Sequence, residues 1–439
     1  METVTIIGGG LAGSEAAWQL LKRGVPVRMY EMRPSVKGPA HRTDKLAELV
    51  CSNSLGSDVP DSAAGLLKEE LRKLGSLIME SADASSVPAG KALAVDREPF
   101  SRTITDKLQG HPLFTLLREE TREIPEEPCI IATGPLTSPS LAEKIGKLLG
   151  NEYLYFFDAV APVVEYDSVN MDIAYRKDRY SDAEGGDYIN CPMDAEQYRK
   201  FYEAITTAER APLHEFENSP KYFEGCMPVE VIASRGRDTL RFGPLRPVGL
   251  EDPRTGRRPY AVVQLRQDNA AGSLYNLVGF QTNLRWGEQQ RVFRLIPGLE
   301  NAEFVRMGVM HRNIYADAPR TLDRLRPIGR ERLYLAGQLT GVEGYVESTA
   351  MGAAAALMLY ADMRGGNLEF PVESAIGALL FRLGDKTNPK FAPTNANMGI
   401  FPPLAEKIKS RRDRNSALIR RGRDKFAEFL TDNPQFFDI

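Results

Sequence analysis

The hydrophobic pattern of the first thirty-one residues predicts a βαβ unit. Residues 4–7 form a short apolar run, long enough for a buried parallel strand. A segment with helical periodicity follows, and Gly24 suits the C-terminal cap of that helix. A second apolar run, Val25 to Tyr30, ends at Glu31. The apolar stripe of the helix consists of Ala16, Ala17, Leu20 and Leu21.

A glycine-rich turn connects the first strand to the helix. It has the pattern G-x-G-x-x-G and consists of Gly8, Gly9, Gly10, Leu11, Ala12 and Gly13. In a dinucleotide-binding fold the first glycine allows the tight turn, the second admits a pyrophosphate, and the third lets helix and strand pack closely. The helix N-terminus offers N–H groups to the phosphates, and Glu31 can accept a hydrogen bond from a ribose hydroxyl. A plain glycine-rich turn is the alternative, but strand, helix, second strand and acid together favour dinucleotide binding.

Two later apolar runs, 129–134 and 333–337, also end in glycine, and a helix of very small residues is predicted over 348–358. Small residues let a helix pack close beneath a flat ligand, and its N-terminus can face the electron-rich edge of a flavin. A tightly packed helix pair is the structural alternative. The residues here that we expect to bind the cofactor are Thr133, Gly134, Gly337, Gln338 and Gly341.

The βαβ rhythm breaks between residues 165 and 298, where turns and strand-like runs indicate an inserted mixed α/β domain. The predicted fold is therefore α/β, a Rossmann-type FAD-binding domain of the glutathione-reductase-like superfamily with an insert and a helical C-terminal segment. The predicted parts are 1–164 for the first part of the FAD-binding domain (with a small excursion near 80–125), 165–298 for the inserted substrate domain, 299–365 for the second part of the FAD-binding domain, and 366–439 for the basic C-terminal segment. Further helices are expected over 61–77 and 100–108, and strands within 113–124.

Composition narrows the class of protein. The chain has 439 residues, 42% of them hydrophobic and 26% charged, as in an ordinary globular protein. A net charge of −3 gives no global attraction to nucleic acid. We expect no signal peptide and no membrane span, because no apolar stretch is long enough. The four cysteines contain no C-x-x-C, which argues against structural zinc and a disulfide framework and suggests a reducing cytoplasm.

Positive charge is concentrated in two stretches of the chain, although the net charge of the whole chain is −3. The insert carries Arg235, Arg237, Arg241, Arg246, Arg254, Arg257, Arg258 and Arg266. Residues 407–425 hold nine basic side chains against Asp413 and Asp424. Each set is either a solvated face or a surface for phosphates.

Candidate chemistry beyond the flavin is limited to thiols. The four histidines are scattered, so neither a Ser/His/Asp set nor a metal cluster is indicated, and we expect no metal. The C-x-x-x-x-C of disulfide-reducing flavoenzymes is absent.

Several long motifs carry a specific resemblance. They are, in order, GGGLAGSEAAWQL, VCSNSLGSD, AVDR, IIATGP, FEGCMPVEV, RGRDTLRFGPL, YAVVQLRQDN, GFQTNL, GVMHRN and LAGQLTGVEGYVESTAMG. Together they span nearly the whole chain and resemble the folate- and FAD-dependent tRNA (uracil-5-)-methyltransferase family.

The resemblance implies a reaction and its cofactors. C5 of uridine 54 in the T loop of tRNA would be methylated, with carbon from 5,10-methylenetetrahydrofolate and hydride from NAD(P)H through FAD. It implies Cys51 and Cys226 as the active-site cysteines, since a thiolate must add to uracil C6 before C5 becomes nucleophilic. We favour Cys226 as that nucleophile and Cys51 as the flavin-side thiol or base, although the sequence leaves the opposite assignment open. His311 and Tyr345 are candidates for stacking on the pterin of the folate, and a surface histidine and a core tyrosine are the equally simple alternatives.

The sequence alone leaves other functions open. A wobble-uridine-modifying tRNA flavoprotein shares the glycine-rich segments but has a longer C-terminal helical domain. An NAD(P)H:flavin oxidoreductase without an RNA substrate, or a flavin-bearing tRNA chaperone, would have no need of two cysteines on separate loops. We expect a cytoplasmic protein whose partner is the T arm of tRNA; the sequence gives no oligomeric state, and a monomer is compatible with it.

Overall fold

A computed structural model describes residues 1–38, 40–126, 128–150, 153–159, 161–181, 185–211, 227–308, 310–387 and 391–437, with the backbone alone for 153–159 and 310–313. The strands are β1 Val4–Ile7, β2 Val27–Tyr30, β3 Ser54–Ser57, β4 Ser86–Val87, β5 Ala92–Val95, β6 Phe114–Leu117, β7 Cys129–Ile131, β8 Tyr153–Ala159, β9 Val163–Glu165, β10 Tyr175–Arg176, β11 Ile189–Met193, β12 Ala261–Gln267, β13 Leu274–Leu277, β14 Phe304–Arg306, β15 Met310–Ala316, β16 Leu322–Asp323, β17 Arg326–Pro327 and β18 Leu333–Leu335. The helices are α1 Leu11–Lys22, α2 Ala63–Lys73, α3 Leu77–Ala84, α4 Arg97–Gln109, α5 Pro139–Leu148, α6 Ala195–Thr207, α7 Val229–Ser234, α8 Thr239–Phe242, α9 Trp286–Phe293, α10 Ala318–Thr321, α11 Tyr345–Met363, α12 Ala375–Leu383, α13 Arg411–Asp432 and α14 Pro434–Phe437.

The first sheet is parallel and confirms the predicted Rossmann-type domain. Its strand order is β18-β7-β1-β2-β6, and β1 pairs in parallel with both β2 and β7. Three strands lead into a glycine of the predicted cofactor site, namely β1, β7 and β18. They are neighbours in the sheet. Because the carboxyl ends of parallel strands meet at one edge, Gly8, Gly134 and Gly337 lie at the same edge of the sheet.

The first helix and the small-residue helix pack against each other. α11 runs over Tyr345–Met363, longer than the predicted 348–358, and is buried along nearly its whole length. It touches α1 at Gly352, where an added Cβ would lie 2.2 Å from the Ala12 carbonyl oxygen. The small residues thus serve close helix packing, and they also bring the N-terminus of α11 to the glycine-rich edge.

The second sheet is antiparallel and forms its own core with α6 to α9. Its strand order is β10-β11-β12-β13-β9-β14. Phe201, Phe280 and Phe293 are fully buried against it. The sheet begins at Val163 and ends at Arg306, so it extends beyond the predicted 165–298 on both sides. β8 precedes this sheet in the chain and β15 follows it, and the two strands pair with each other as an antiparallel ribbon.

Smaller elements complete the fold. The predicted excursion near 80–125 contains most of α3, and α4, β4 and β5. β4 and β5 join β3, which lies earlier in the chain, in an antiparallel group of order β3-β5-β4. The helix predicted over 61–77 is present as α2 but ends earlier, at Lys73, and Gly75 follows with a φ of +61°. A separate helix, α3, begins at Leu77 and is capped by the Ser76 side chain. Of the strands predicted within 113–124, the structure has β6.

The C-terminal segment is helical, as predicted. α13 packs on α2, and an added Cβ at Gly422 would lie 2.8 Å from Leu66. Arg423 forms an ion pair with Glu69 at 2.8 Å, and Arg421 donates to the Pro403 carbonyl at 2.9 Å. Part of the basic run is therefore structural, and its exposed members are Lys407, Lys409, Arg411, Arg412, Arg414, Arg420 and Lys425.

The contact between α1 and α11 gives a first prediction. Gly352→Ala should lower the free energy of unfolding by about 1–3 kcal/mol, because the methyl group meets main-chain atoms that cannot move aside. This clash outweighs the gain of about 1 kcal/mol that alanine brings to a helix. Chemical denaturation would measure the change.

Gly287→Ala in α9 is the matched control, since an added Cβ there meets nothing within 4 Å. It should leave the stability unchanged or raise it slightly. Equal stabilities of the two variants would contradict the packing argument.

Candidate active site

A cavity with about 1000 Å³ of empty space opens at the glycine-rich edge of the parallel sheet. Most of the residues predicted to bind the cofactor line it, namely Gly8, Gly9, Gly10, Leu11, Ala12, Glu31, Thr133, Gly134, Gly337, Gln338 and Tyr345. Gly13 and Gly341 do not line it. The backbone of His311 lies in β15, but its side chain falls outside the described residues.

The glycines of the turn have separate physical roles. Gly8 has a φ of +100°, and an added Cβ there would lie 2.6 Å from the Ala132 carbonyl oxygen. At Gly13 a Cβ would lie 1.9 Å from the Gly8 carbonyl oxygen, so this glycine serves helix–strand packing. At Gly10 a Cβ would meet no protein atom within 4 Å. Gly10 therefore leaves open the space at the N-terminus of α1, where N–H groups suit a phosphate.

Glu31 is held by four N–H groups. Its Oε2 accepts from Gly9 N at 2.9 Å and from Arg33 Nη2 at 3.0 Å, and its Oε1 accepts from Arg33 N and Nε at 3.0 and 2.8 Å. Burial alone would raise the pKa of Glu31, but the hydrogen bonds and charge of Arg33, with the Gly9 N–H, hold that pKa below its usual value. A ribose hydroxyl would compete with Arg33 for these lone pairs. Glu31 as a ribose acceptor stays a prediction.

Arg33 also joins Glu31 to a second carboxylate of the cavity. It is 1% exposed and donates to Glu48 Oε2 at 2.9 Å. Glu48 in turn accepts from the backbone N–H of Arg42 at 2.8 Å, which orders the loop after β2. The sequence shows a basic loop here but not which arginine is buried.

Cys51 lies on a half-buried loop beside this cavity. Its backbone N–H donates to the Tyr345 hydroxyl at 2.7 Å, and its neighbour Val50 lines the cavity together with Tyr345. Its carbonyl oxygen accepts from Arg97 at 3.3 Å and from Arg306 at 3.4 Å. The cysteine is therefore fixed at the rim of the cavity by groups from α4, β14 and α11.

Arginines from both cores meet at this loop. Arg97 forms a two-pronged ion pair with Asp268, through Nε at 3.2 Å and Nη2 at 3.1 Å, and donates to the Leu49 carbonyl at 2.5 Å. Arg266 donates to Ser52 Oγ at 3.2 Å. Burial, with the nearby charges of Arg97 and Arg42, lowers the pKa of Arg306 to about 10. The loop thus sits in positive potential, with Asp268 as the carboxylate paired to Arg97.

Cys226 falls outside the described residues, but the ends of its segment are described. Ala211 N donates to the Asn283 carbonyl, and Val229 N donates to the Gln281 carbonyl, both at 2.7 Å. Glu230 is fully buried and accepts from Asn283 N at 2.7 Å and from Thr282 Oγ1 at 2.9 Å. The GFQTNL motif therefore anchors both sides of the segment that carries Cys226.

The other cysteines and the insert arginines separate into structural and exposed groups. Cys129 and Cys191 are buried in the two cores, and burial raises the pKa of Cys191. Arg241 stacks on Tyr260, Arg254 pairs with Asp252, and Arg266 reaches the Cys51 loop. The predicted arginines that remain exposed are Arg235, Arg237, Arg246, Arg257 and Arg258.

The described part of the chain holds neither a metal-binding cluster nor a helix that could span a membrane. It contains no group of three or more His, Cys, Asp or Glu side chains arranged to hold a metal ion. None of its helices combines the length and apolar character needed to cross a membrane.

Comparison with known proteins gives a consistent set of relatives. A family model described as GIDA, glucose inhibited division protein A, matches residues 3–367. The chain is 58% identical over 434 residues to a methylenetetrahydrofolate–tRNA-(uracil-5-)-methyltransferase TrmFO of Listeria innocua, covering 98% of this chain and 100% of that one. It is 54% identical over 429 residues to the protein of the same name from Enterococcus faecalis, covering 97% and 98%.

The fold is similar to a solved structure as well. GidA of Aquifex aeolicus superposes with a TM-score of 0.68 at 16% identity, covering 97% of this chain and 73% of that chain. At that identity the likeness concerns the fold, and it supports the predicted arrangement of a dinucleotide-binding domain with an insert.

The open space at Gly10 gives a second prediction. Gly10→Ala should lower the affinity for FAD by at least about tenfold, because the new methyl group projects where a phosphate would approach. Equilibrium dialysis of the apoprotein would measure the affinity.

The unfolding free energy of the apoprotein is the control for Gly10→Ala. It should change by less than about 1 kcal/mol, since the φ of −75° at Gly10 suits alanine and no protein atom is met. Unchanged FAD affinity would show that the cofactor does not lie against Gly10.

The Arg97–Asp268 pair gives a third prediction. Arg97→Lys should lower the free energy of unfolding by about 2 kcal/mol, because lysine keeps the charge but loses the fork of hydrogen bonds. Arg102→Lys on the same helix is the matched control, since its pair with Glu98 is exposed and should change stability by under 1 kcal/mol. Thermal unfolding measures both, and equal effects would count against a special role for Arg97.

Proposed function

We propose a function from one premise, that this chain belongs to the methylenetetrahydrofolate–tRNA-(uracil-5-)-methyltransferase family, as its full-length identity to curated members shows. The protein methylates C5 of a uridine in tRNA, using 5,10-methylenetetrahydrofolate as the carbon donor. We place the target at uridine 54 of the T loop and take FAD, reduced by NAD(P)H, as the hydride carrier. The C5 proton leaves, and a methyl group built from the folate methylene and one hydride takes its place. We place this reaction in the cytoplasm, where tRNA and reduced nicotinamide meet.

The cavity at the glycine-rich edge suits FAD. Its lining offers the N-terminus of α1 and the open position at Gly10 to a pyrophosphate, and Thr133, Gly134 and Gly337 to the flat remainder. When bound, FAD supplies the redox chemistry that turns a methylene unit into a methyl group. The chain's own contribution is to hold this cofactor beside the Cys51 loop.

Cys51 is the flavin-side thiol in this proposal. Its support is that Val50 and Tyr345 line the cavity while Tyr345 accepts the Cys51 N–H. The guanidinium groups of Arg97 and Arg306 around the loop favour an anion there, and a thiolate is the reactive form of cysteine. In this position Cys51 can remove the C5 proton.

Cys226 is the nucleophile that adds to uracil C6. Its thiolate forms a C6–S bond, the electron pair moves to an enolate, and C5 becomes able to attack the one-carbon unit. Loss of the C5 proton and release of the one-carbon unit from its carrier leave a methylene group on C5. Addition of a hydride to that methylene, with expulsion of the Cys226 thiolate, then gives the methyl group and restores the C5–C6 double bond. The support is positional, since the described ends of the segment, Ala211 and Val229, are both anchored to residues 281–283 of the second core. In the competing assignment, Cys51 adds to uracil C6 and Cys226 is the flavin-side thiol.

The target uridine lies inside folded tRNA. Exposing it requires loop opening or base flipping, at a cost of a few kcal/mol. Phosphate contacts can offset that cost, and the exposed arginines of the insert and the exposed basic residues at the start of α13 are available for them. Of the two candidates for stacking on the pterin of the folate, Tyr345 has a described side chain, and it lines the cavity.

A label-transfer experiment gives the fourth prediction. Purified protein with FAD, NADPH and methylene-labelled methylenetetrahydrofolate should transfer label to 5-methyluridine in tRNA that lacks this nucleoside. Cys51→Ser and Cys226→Ser should each lower transfer at least about a hundredfold, because a hydroxyl is a far weaker nucleophile and base near neutral pH. Nucleoside analysis measures the product.

Cys191→Ala is the matched control, since that thiol is buried in the second core. It should transfer label at nearly the wild-type rate. A wild-type protein that holds FAD and oxidises NADPH without labelling 5-methyluridine would refute the proposal and favour a wobble-uridine enzyme or a plain oxidoreductase.

A further inference from the structure

The most exposed aromatic ring among the described residues belongs to Phe242. It is the last residue of α8 and is 83% exposed. Its neighbours Leu240 and Leu245 are fully buried, so the turn has its apolar anchors without Phe242. An exposed ring of this size contributes little to folding, and its face is accessible to a partner with a flat or apolar surface.

The ring is presented by a rigid support. Arg241 stacks on Tyr260 with its guanidinium carbon 3.6 Å from the ring centroid, and it donates to the Tyr260 carbonyl at 3.0 Å. Leu245 N donates to the Leu240 carbonyl at 2.9 Å, and the Leu245 carbonyl accepts from Val262 of β12 at 3.1 Å. The backbone that carries Phe242 is therefore held in place before any partner binds, which lowers the entropy lost on binding.

Positive charge surrounds the ring. Residues 235–246 contain four arginines against one aspartate, Asp238, and that aspartate pairs with Arg241. Arg235, Arg237 and Arg246 are exposed. Within the described chain, Arg237 and Arg246 have no carboxylate within 4 Å of their guanidinium nitrogens. We call Phe242, Arg235, Arg237 and Arg246 the Phe242 patch.

A second exposed ring borders this patch. Tyr180 is 65% exposed, and its neighbour Arg179 donates to the Arg246 carbonyl at 3.0 Å. Aromatic rings among arginines are the usual means of binding unpaired nucleotides, because the rings stack on bases while guanidinium groups contact phosphates. A protein partner would be expected to meet more apolar area than one ring among charges.

The patch lies near the proposed reaction centre. β12 connects them, since Val262 pairs with Leu245 behind the patch and Arg266 reaches Ser52 of the Cys51 loop. Four residues of a strand span roughly 13 Å. The strand backbone behind the patch and the residue that contacts the Cys51 loop are therefore roughly 13 Å apart.

We propose that Phe242 stacks on a nucleobase of the tRNA T arm a few nucleotides from the target uridine, with Arg237 and Arg246 on the adjoining phosphates. This inference rests on the proposed function for the identity of the RNA. Phe242 acts as a positioning residue, because it holds the arm while the uridine is extruded.

The test compares single substitutions of exposed phenylalanines in the FAD-loaded, full-length protein. Phe242→Ala should raise the Kd for tRNA lacking 5-methyluridine about tenfold, and Phe242→Trp should stay within about twofold of wild type, because tryptophan also stacks. Phe381→Ala is the matched control, since Phe381 is 59% exposed on α12. Fluorescence anisotropy gives Kd, and NADPH oxidation without tRNA should be the same in all variants.

Salt dependence separates the arginines from the ring. Arg237→Ala and Arg246→Ala should each reduce the slope of log K against log salt by about 0.7 to 0.9, whereas Phe242→Ala should leave the slope unchanged. Sedimentation of the variants reports any change of oligomeric state.

The outcomes distinguish this inference from the proposed function. Wild-type Kd in Phe242→Ala, or a Phe242-dependent change in oligomeric state, overturns the stacking role even if 5-methyluridine is formed. Phe242-dependent tRNA binding without 5-methyluridine formation by the wild type would support the patch and refute the methylation.

Discussion

The arrangement of the site depends on the contact between Arg97 and Asp268. Arg97 belongs to the flavin domain and Asp268 follows a strand of the second sheet, so their ion pair joins the two cores. The same guanidinium donates to the carbonyls of Leu49 and Cys51. Because both partners are largely buried, removing either one would leave an uncompensated charge, which makes this contact costly to lose. The position of Cys51 is therefore coupled to the docking of the second core.

A second constraint comes from close packing at the carboxyl edge of the parallel sheet. Gly13 allows the turn and α1 to approach, and Gly352 allows α11 to lie against α1. These contacts bring Tyr345, at the start of α11, to the Cys51 loop. One set of glycines thus shapes the cavity proposed for FAD and also places the group that holds the Cys51 loop, so the cavity and the loop are parts of one packing arrangement.

The sequence predicts the parallel sheet, the glycine turn, the insert and the C-terminal helices, because each has a local pattern of its own. It does not predict that Arg33 occupies the lone pairs of Glu31, since that contact depends on how the loop after β2 folds back. Nor does it predict that Arg266 and Arg306 reach the Cys51 loop, since these contacts join residues far apart in the chain. The basic tail shows the same limit. The excess of basic residues is visible in the sequence. The packing of α13 on α2 decides which of these arginines bind carbonyls and carboxylates of the protein, as Arg421 and Arg423 do.

The central claim is that the two cysteines divide the chemistry, with Cys226 on uracil and Cys51 on the flavin side. The most direct measurement is peptide mapping of the covalent adduct formed with a T-arm RNA that carries 5-fluorouridine at the target position, in the presence of FAD, NADPH and methylenetetrahydrofolate. Fluorine at C5 blocks the loss of a proton there, so the thioether at C6 should persist. The account predicts the RNA on Cys226. An adduct on Cys51 would contradict it.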